Sequence, residues 1–174
     1  MKNSVRITSG TYRGREILTP GGATHPMGER EKMALFNMIS AELPGAKVLD
    51  AYAGSGALGI EAISRGANSC VFIEKNSGAA KIISENLVKL GLLNSVTIFK
   101  GSVANFESDT NFDIIFADPP YDGFRVDEIE YLAKFLNNSG ILVLSHPDEI
   151  TDIKGLKLLK SRQYARAHIS IFTK

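Results

Sequence analysis

A mostly parallel, doubly wound α/β sheet is the fold this sequence predicts, on three observations. Short apolar runs alternate with stretches of helical spacing from residue 47 to residue 145. The runs Cys70-Val71-Phe72-Ile73 and Ile141-Leu142-Val143-Leu144 are continuous rather than alternating, the pattern of strands covered on both faces. A glycine loop, Gly54-Ser55-Gly56-Ala57-Leu58-Gly59, stands between the first strand of this region and the helical stretch after it, the place of the ligand-binding turn in such sheets.

The elements follow in order. Val5-Arg6-Ile7 and Tyr12 to Leu18 predict a small hairpin around Ser9-Gly10, and Thr19-Pro20-Gly21-Gly22 breaks the chain after it. Leu35, Phe36, Ile39 and Leu43 predict a helix over 29–43, ended by Pro44-Gly45. Residues 1–44 therefore read as an N-terminal hairpin and helix extension, and 45–174 as the main domain, the whole forming one compact unit. In the main domain, strands are predicted over 47–51, 69–74, 95–99, 112–117 and 140–145. Helices are predicted between them over 57–65, 77–90 and 126–136. Leu156 to Leu159 and Ala167 to Phe172 read as two further strands with no helical pattern between them, a terminal antiparallel addition to the parallel sheet.

Composition excludes several classes. The 174 residues, 44% hydrophobic and 22% charged, suit one globular domain. Cys70 is the single cysteine, so no internal disulfide forms, and it reads as a buried small hydrophobe. With one thiol and three scattered histidines, no metal site is expected. The first ten residues lack the apolar core of a signal peptide and no apolar run reaches membrane-spanning length. The expectation is a cytoplasmic monomer without a membrane partner.

Net charge is +1, but it is unevenly spread. Lys2, Arg6, Arg13 and Arg15 stand at one end, and Lys154, Lys157, Lys160, Arg162, Arg166 and Lys174 at the other, with no acid among either group. Residues 48–152 carry 7 basic and 15 acidic side chains. Two basic ends around an acidic middle suit a polyanion such as RNA if the fold brings them to one face, and otherwise make two solvated surface strands.

Two motifs carry chemistry. Asp50 ends the first strand of the main domain just before the glycine loop, and Glu74 ends the next. A carboxylate at Glu74 can accept hydrogen bonds from both hydroxyls of a ribose. The glycine loop alone fits a dinucleotide almost as well as S-adenosyl-L-methionine. Asp50 separates them, because it suits the cationic methionine end of the latter and repels a pyrophosphate. Asp118-Pro119-Pro120-Tyr121 follows the fourth parallel strand, and ligands of these sheets bind beyond the carboxyl ends of strands. Pro119 and Pro120 fix φ and donate no N–H, so the turn is stiff and offers acceptors. An exocyclic amine, whose lone pair is delocalised into its base, needs two such acceptors on its hydrogens to aim that lone pair at a methyl donor. Tyr121 offers a face on which an extruded base can stack.

Together these residues resemble the amino-group class of methyltransferases, and more closely the bacterial 16S rRNA guanine-N2 methyltransferases of the RsmD type. The likeness runs nearly end to end: Arg6-Ile7, Tyr12-Arg13-Gly14-Arg15, Arg30, Ala34-Leu35-Phe36-Asn37, Val48-Leu49-Asp50, the glycine loop, Ser64-Arg65-Gly66-Ala67, Glu74-Lys75, Glu85-Asn86-Leu87 and Asp118-Pro119-Pro120-Tyr121. The resemblance implies a Rossmann-like class I fold whose seven-stranded, mostly parallel sheet carries an antiparallel C-terminal strand. It implies a cofactor site for S-adenosyl-L-methionine made by Asp50, Tyr52, Gly54, Gly56, Glu74, Lys75, Ser102, Val103 and Asp118. Asp118, Pro119 and Tyr121 would be the catalytic residues, with S-adenosyl-L-homocysteine the product and no metal. Arg6, Arg13, Arg15 and Arg30, with Lys157, Lys160 and Arg162 of the basic tail, would touch ribosomal RNA or a small-subunit assembly intermediate. This sequence departs from the family pattern at Gly101-Ser102, where an acid is usual, at His25-Pro26-Met27, where Arg-Pro-Thr is usual, and at Ser145, where an acid often stands before the His146 position. The competing readings are an adenine-N6 or other base-amine methyltransferase, an NAD-dependent oxidoreductase, and an inactive RNA-binding relative.

Overall fold

The computed structural model of the protein describes residues 4–21, 27–147, 150, 152–164 and 167–174. His25 and Pro26 lie outside these, as do Lys2 and Arg166. An N-terminal hairpin of β1 (Ser4–Arg6) and β2 (Glu16–Leu18) precedes α1 (Glu29–Met38). The main sheet is built from β3 (Lys47–Asp50), β4 (Ser69–Glu74), β5 (Val96–Lys100), β6 (Phe112–Ala117), β7 (Leu136–His146), β8 (Lys157–Tyr164) and β9 (Ala167–Thr173). Its connecting helices are α2 (Ala57–Ser64), α3 (Ser77–Leu90) and α4 (Val126–Leu132).

Strand order is β5-β4-β3-β6-β7-β9-β8. The first five of these strands are parallel, and β9 runs antiparallel to both its neighbours. The chain therefore winds outward from β3 in one direction and returns to start again at β6. The boundary between β3 and β6 is the switch point of the sheet, and ligands of such sheets bind there, beyond the carboxyl ends of the strands.

The two faces of the sheet are buried by different elements. On one face the hairpin (Ile7, Ile17), α1 (Leu35, Phe36), α2 (Ile60, Ile63) and α3 (Ile83, Leu87) share a single apolar core with the strands. On the other, α4 (Ile129, Leu132) packs with Phe106, Phe112 and Phe135. Each such side chain contributes roughly 1.5–3 kcal/mol on full burial, so Ile7, Ile17, Leu35 and Phe36 hold the hairpin and α1 to the sheet. Phe36 of α1 lies with its ring 5.5 Å from that of Phe116 near the end of β6. That contact brings the N-terminal helix over the carboxyl end of the sheet.

Several boundaries differ from the sequence expectation, the start of β2 at Glu16 rather than Tyr12 among them. Helix α1 stops at Met38, not Leu43, yet Ile39 and Leu43 stay buried because the chain turns back, with Glu42 N donating to Ile39 O at 3.2 Å. A last helical turn and such a bend bring the same apolar positions inward, so spacing alone does not separate them. Helix α4 ends at Leu132 and tightens through Ala133–Phe135, and β7 begins at Leu136. The ladder to Phe112 sets that start. Strand β8 runs on to Tyr164 because β9 supplies hydrogen-bond partners along that whole length.

Candidate active site at the switch point of the sheet

The glycine loop leaves β3 and opens α2. Gly54 and Gly56 have φ of 56° and 79°, the left-handed region that side chains disfavour. Gly59 serves packing instead: a Cβ there would stand 2.3 Å from the Phe72 ring and 2.6 Å from the Cys70 sulfur, so its absence lets α2 lie close on β4. Because Gly56 is the N-cap of α2 and has no side chain to offer, an orphan N–H of the first turn must find its acceptor elsewhere. Asp50 provides it, accepting from Gly59 N at 2.9 Å.

Glu74 is built in with equal care. One carboxylate oxygen accepts from Gly54 N at 2.8 Å and the other from Asn76 N at 2.7 Å. A carboxylate has about four acceptor sites, so each oxygen keeps a lone pair for another donor. Gly101 N donates to the Glu74 main-chain oxygen at 3.1 Å, which sets half-buried Ser102 and buried Val103 beside it. Lys75 is exposed just past β4. Tyr52 is half-buried and its hydroxyl donates to Glu128 of α4 at 2.7 Å, pinning the ring between the loop and the second core.

Asp118 leaves β6 beside this loop. Asp50 pairs with Phe116 across the β3–β6 ladder, so two residues on, Asp118 is level with Tyr52. Burial pushes the Asp118 carboxyl above its ordinary pKa, with Ser145 opposing and Glu31 adding to the rise. Asp50 is raised to about 7, first by burial, against the pull of the Gly59 bond, and then by the fields of Asp118 and Glu74. Three carboxylates at the ends of β3, β4 and β6 thus share one crevice and hold a surplus of negative potential there. Tyr121 is exposed at the mouth, and its hydroxyl meets Ser145 at 3.0 Å.

The structure therefore gathers Asp50, Tyr52, Gly54, Gly56, Glu74, Ser102, Val103, Asp118, Pro119 and Tyr121 at one end of the sheet, with Lys75 at its rim. The basic residues are more dispersed. Arg6, Arg13 and Arg15 are exposed on the hairpin over α2 and α3, Arg30 is exposed in the first turn of α1, and Arg6 has Glu16 at 3.8 Å. Lys157, Lys160 and Arg162 pair with Thr173, Ile171 and Ile169. Ile169 and Ile171 belong to the core under α1, α2 and α3, so these three cations stand on the same face as the N-terminal extension. They lie on the edge strand, however, four strand spacings or about 19 Å from β3.

Sequence reasoning misses two contributors. Glu31 of α1 acts electrostatically on both Asp118 and Tyr121. Its place in the site comes from tertiary docking and has no local signal. Ser145 stands out in the sequence only as a departure, yet it is the hydrogen-bond partner of Tyr121. His146 is buried against Ser170 at 2.9 Å and stacks on His168, a structural strand-end position. Among the described residues no cluster of His, Cys, Asp and Glu is arranged to hold a metal, and no helix is long and apolar enough to cross a membrane.

Strand order, switch-point crevice and C-terminal antiparallel strand define the Rossmann-like class I methyltransferase fold. The solved structure of Escherichia coli yhhF superposes with a TM-score of 0.90 at 25% identity, covering 99% of this chain and 98% of that one. A family model described as conserved hypothetical protein 95 matches residues 5–173. The chain belongs to that family, the RsmD type that its motifs resemble. Among relatives, YlbH of Bacillus subtilis is 30% identical over 98% of this chain and 99% of its own length. Ribosomal RNA small subunit methyltransferase D of Escherichia coli is 32% identical over 79% of this chain and 69% of its own.

Proposed function

We propose that the protein transfers the methyl group of S-adenosyl-L-methionine to the exocyclic N2 amine of a guanine in small-subunit (16S) ribosomal RNA, with S-adenosyl-L-homocysteine as product. The observation that carries this reading is the convergence of the Asp118-Pro119-Pro120-Tyr121 turn with Asp50 and Glu74 in one acidic crevice. The relatives' names favour ribosomal RNA as the substrate.

The donor set fits the cofactor. Asp50 is buried, its carboxylate accepts from Gly59 N, and its proton affinity is raised to about 7, the state of a carboxylate that lacks a cationic partner. An ammonium and a sulfonium would supply that charge, and the same crevice repels a pyrophosphate. Glu74 keeps free lone pairs for ribose hydroxyls, and Ser102, Val103, Lys75 and Tyr52 stand around them. When bound, S-adenosyl-L-methionine supplies an electrophilic methyl group on a good leaving group.

The protein's own contribution is placement. The Asp118 carboxylate and the main-chain carbonyls of the proline turn accept from the two amine hydrogens and aim the nitrogen lone pair outward. Tyr121 stacks on the extruded base, worth roughly 1–3 kcal/mol against a few kcal/mol of unstacking. Burial raises the Asp118 proton affinity, which suits its carboxylate oxygen to receive the proton the amine sheds. Arg6, Arg13, Arg15 and Arg30 then meet the RNA backbone, free or within a small-subunit assembly intermediate.

Asp118→Ala tests the reading. Transfer to small-subunit rRNA is expected to fall at least a hundredfold while S-adenosyl-L-homocysteine still raises the melting temperature. Retained transfer refutes the acceptor role, and a methyl mapped to adenine N6 moves the substrate to the competing class.

A further inference from the structure

The end of β7 puts a small hydroxyl where two functional side chains meet. Ser145 is buried, at 3% exposure. It follows Leu144, which pairs with Ala117 across the parallel β6–β7 ladder, so Ser145 faces Asp118 in register. Its Oγ lies 3.0 Å from the Tyr121 hydroxyl. We infer that Ser145 is a positioning residue for methyl transfer: its hydroxyl ties the Tyr121 phenol to the Asp118 carboxylate, so that stacking face and amine acceptor keep one fixed relation.

This inference rests on the proposed methyl transfer and adds a residue to it. The polarity of the chain follows from chemistry. Strand register sets Ser145 beside Asp118, and an ionised carboxylate only accepts, so in the inferred relay Ser145 donates to Asp118 and the Tyr121 O–H donates to Ser145 Oγ. Each bond polarises the next. Tyr121 is otherwise exposed, at 38%, in a short turn over Tyr121–Gly123, so the bond to Ser145 is what anchors its hydroxyl. The same donor opposes the rise that burial imposes on the Asp118 carboxyl. The other charged groups facing Asp118 are Glu31 of α1 and Asp50 of β3, both acidic, so Ser145 is what favours the ionised form there.

The test is a set of purified single variants assayed on small-subunit rRNA across pH, with S-adenosyl-L-homocysteine binding as the folding control. Ser145→Ala is expected to lower kcat by about tenfold to a hundredfold, to move the acid limb of the kcat profile to higher pH, and to leave cofactor binding intact. Tyr121→Phe is expected to raise KM for RNA with the acid limb unmoved, because Ser145 still donates to Asp118. Ser145→Thr, which keeps the hydroxyl, is expected to restore the wild-type limb. A Ser145→Ala enzyme with wild-type kcat and limb overturns the inference, as does a threonine variant that behaves like alanine. If the wild-type protein methylates no RNA, the functional reading fails first and this one with it.

Discussion

One oxygen of the Asp50 carboxylate accepts the Gly59 N–H, and the group as a whole is raised to about 7 by burial and by its acidic neighbours. Two roles meet on this side chain: it caps α2 and it faces the crevice. The raised value has a definite sign in stability. The folded protein holds a proton there that the unfolded chain releases near 3.8. That contribution is fully present below the unfolded value and is lost as pH rises through about 7. A ligand ammonium, which S-adenosyl-L-homocysteine retains, reverses the preference, since it recruits the ionised form. Affinity for S-adenosyl-L-homocysteine is therefore expected to climb as pH rises towards about 7 and to level off above it. Asp50→Asn should lower the affinity and flatten the climb in titration calorimetry. A wild-type affinity independent of pH would remove Asp50 from contact with the ligand's charge.

At the scale of elements, the joint between the hairpin, α1 and α2 is made by Glu61. It is fully buried and lies 3.1 Å from Lys32 and 2.9 Å from Arg65. It also accepts from Thr8 N at 2.9 Å, the Thr8 hydroxyl at 2.7 Å and Ser9 N at 3.1 Å. Burial pushes its pKa up, but the Thr8, Arg65 and Lys32 partners outweigh that and hold it below the ordinary glutamate value. Its stabilising contribution is thus present above the unfolded pKa and is lost as pH falls through the lower folded one. The network fixes α1 over the sheet end, which is how Glu31 reaches the site. Glu61→Gln leaves Lys32 buried without its counter-charge and is expected to cost about 3–5 kcal/mol in urea unfolding. A loss below about 1 kcal/mol would mean that the apolar packing of the hairpin and α1 suffices to hold this joint.

Across the whole molecule, charge follows the architecture. The acidic middle of the sequence supplies the crevice, and Lys157, Lys160 and Arg162 stand on the same face of the sheet as the arginines of the hairpin and α1. Whether the β8 cations bind RNA or only guard an edge strand against self-pairing is decided by salt. Reversing Lys157, Lys160 and Arg162 to Glu is expected to weaken RNA binding and to flatten its log–log salt dependence by about 0.7–0.9 for each phosphate no longer neutralised. An unchanged slope assigns β8 to edge protection and leaves the arginines of the hairpin and α1 as the RNA surface. Filter binding at several salt concentrations separates the two.

From the amino-acid order alone come the winding of the sheet, the glycine loop, the acids that end β3 and β4, and the proline-stiffened turn after β6. These are encoded in neighbouring residues: period of apolar positions, backbone freedom of glycine, constraint of proline. The hairpin is also legible, though its second strand is shorter than expected. Only the tertiary structure decided that Asp50 caps α2 and that Glu74 ties down Gly54 and Asn76. Only it brought Ser145 under Tyr121 and Glu31 over Asp118. The Glu74–Gly54, Tyr121–Ser145 and Glu31–Asp118 pairings join residues far apart in the chain, 20 positions in the first case and 24 in the second. Their partners are chosen by strand register and helix docking, and neither leaves a mark in local sequence. The ends of α1 and α4 belong to the same class, because a helix stops where packing and ladder bonds outweigh one more turn.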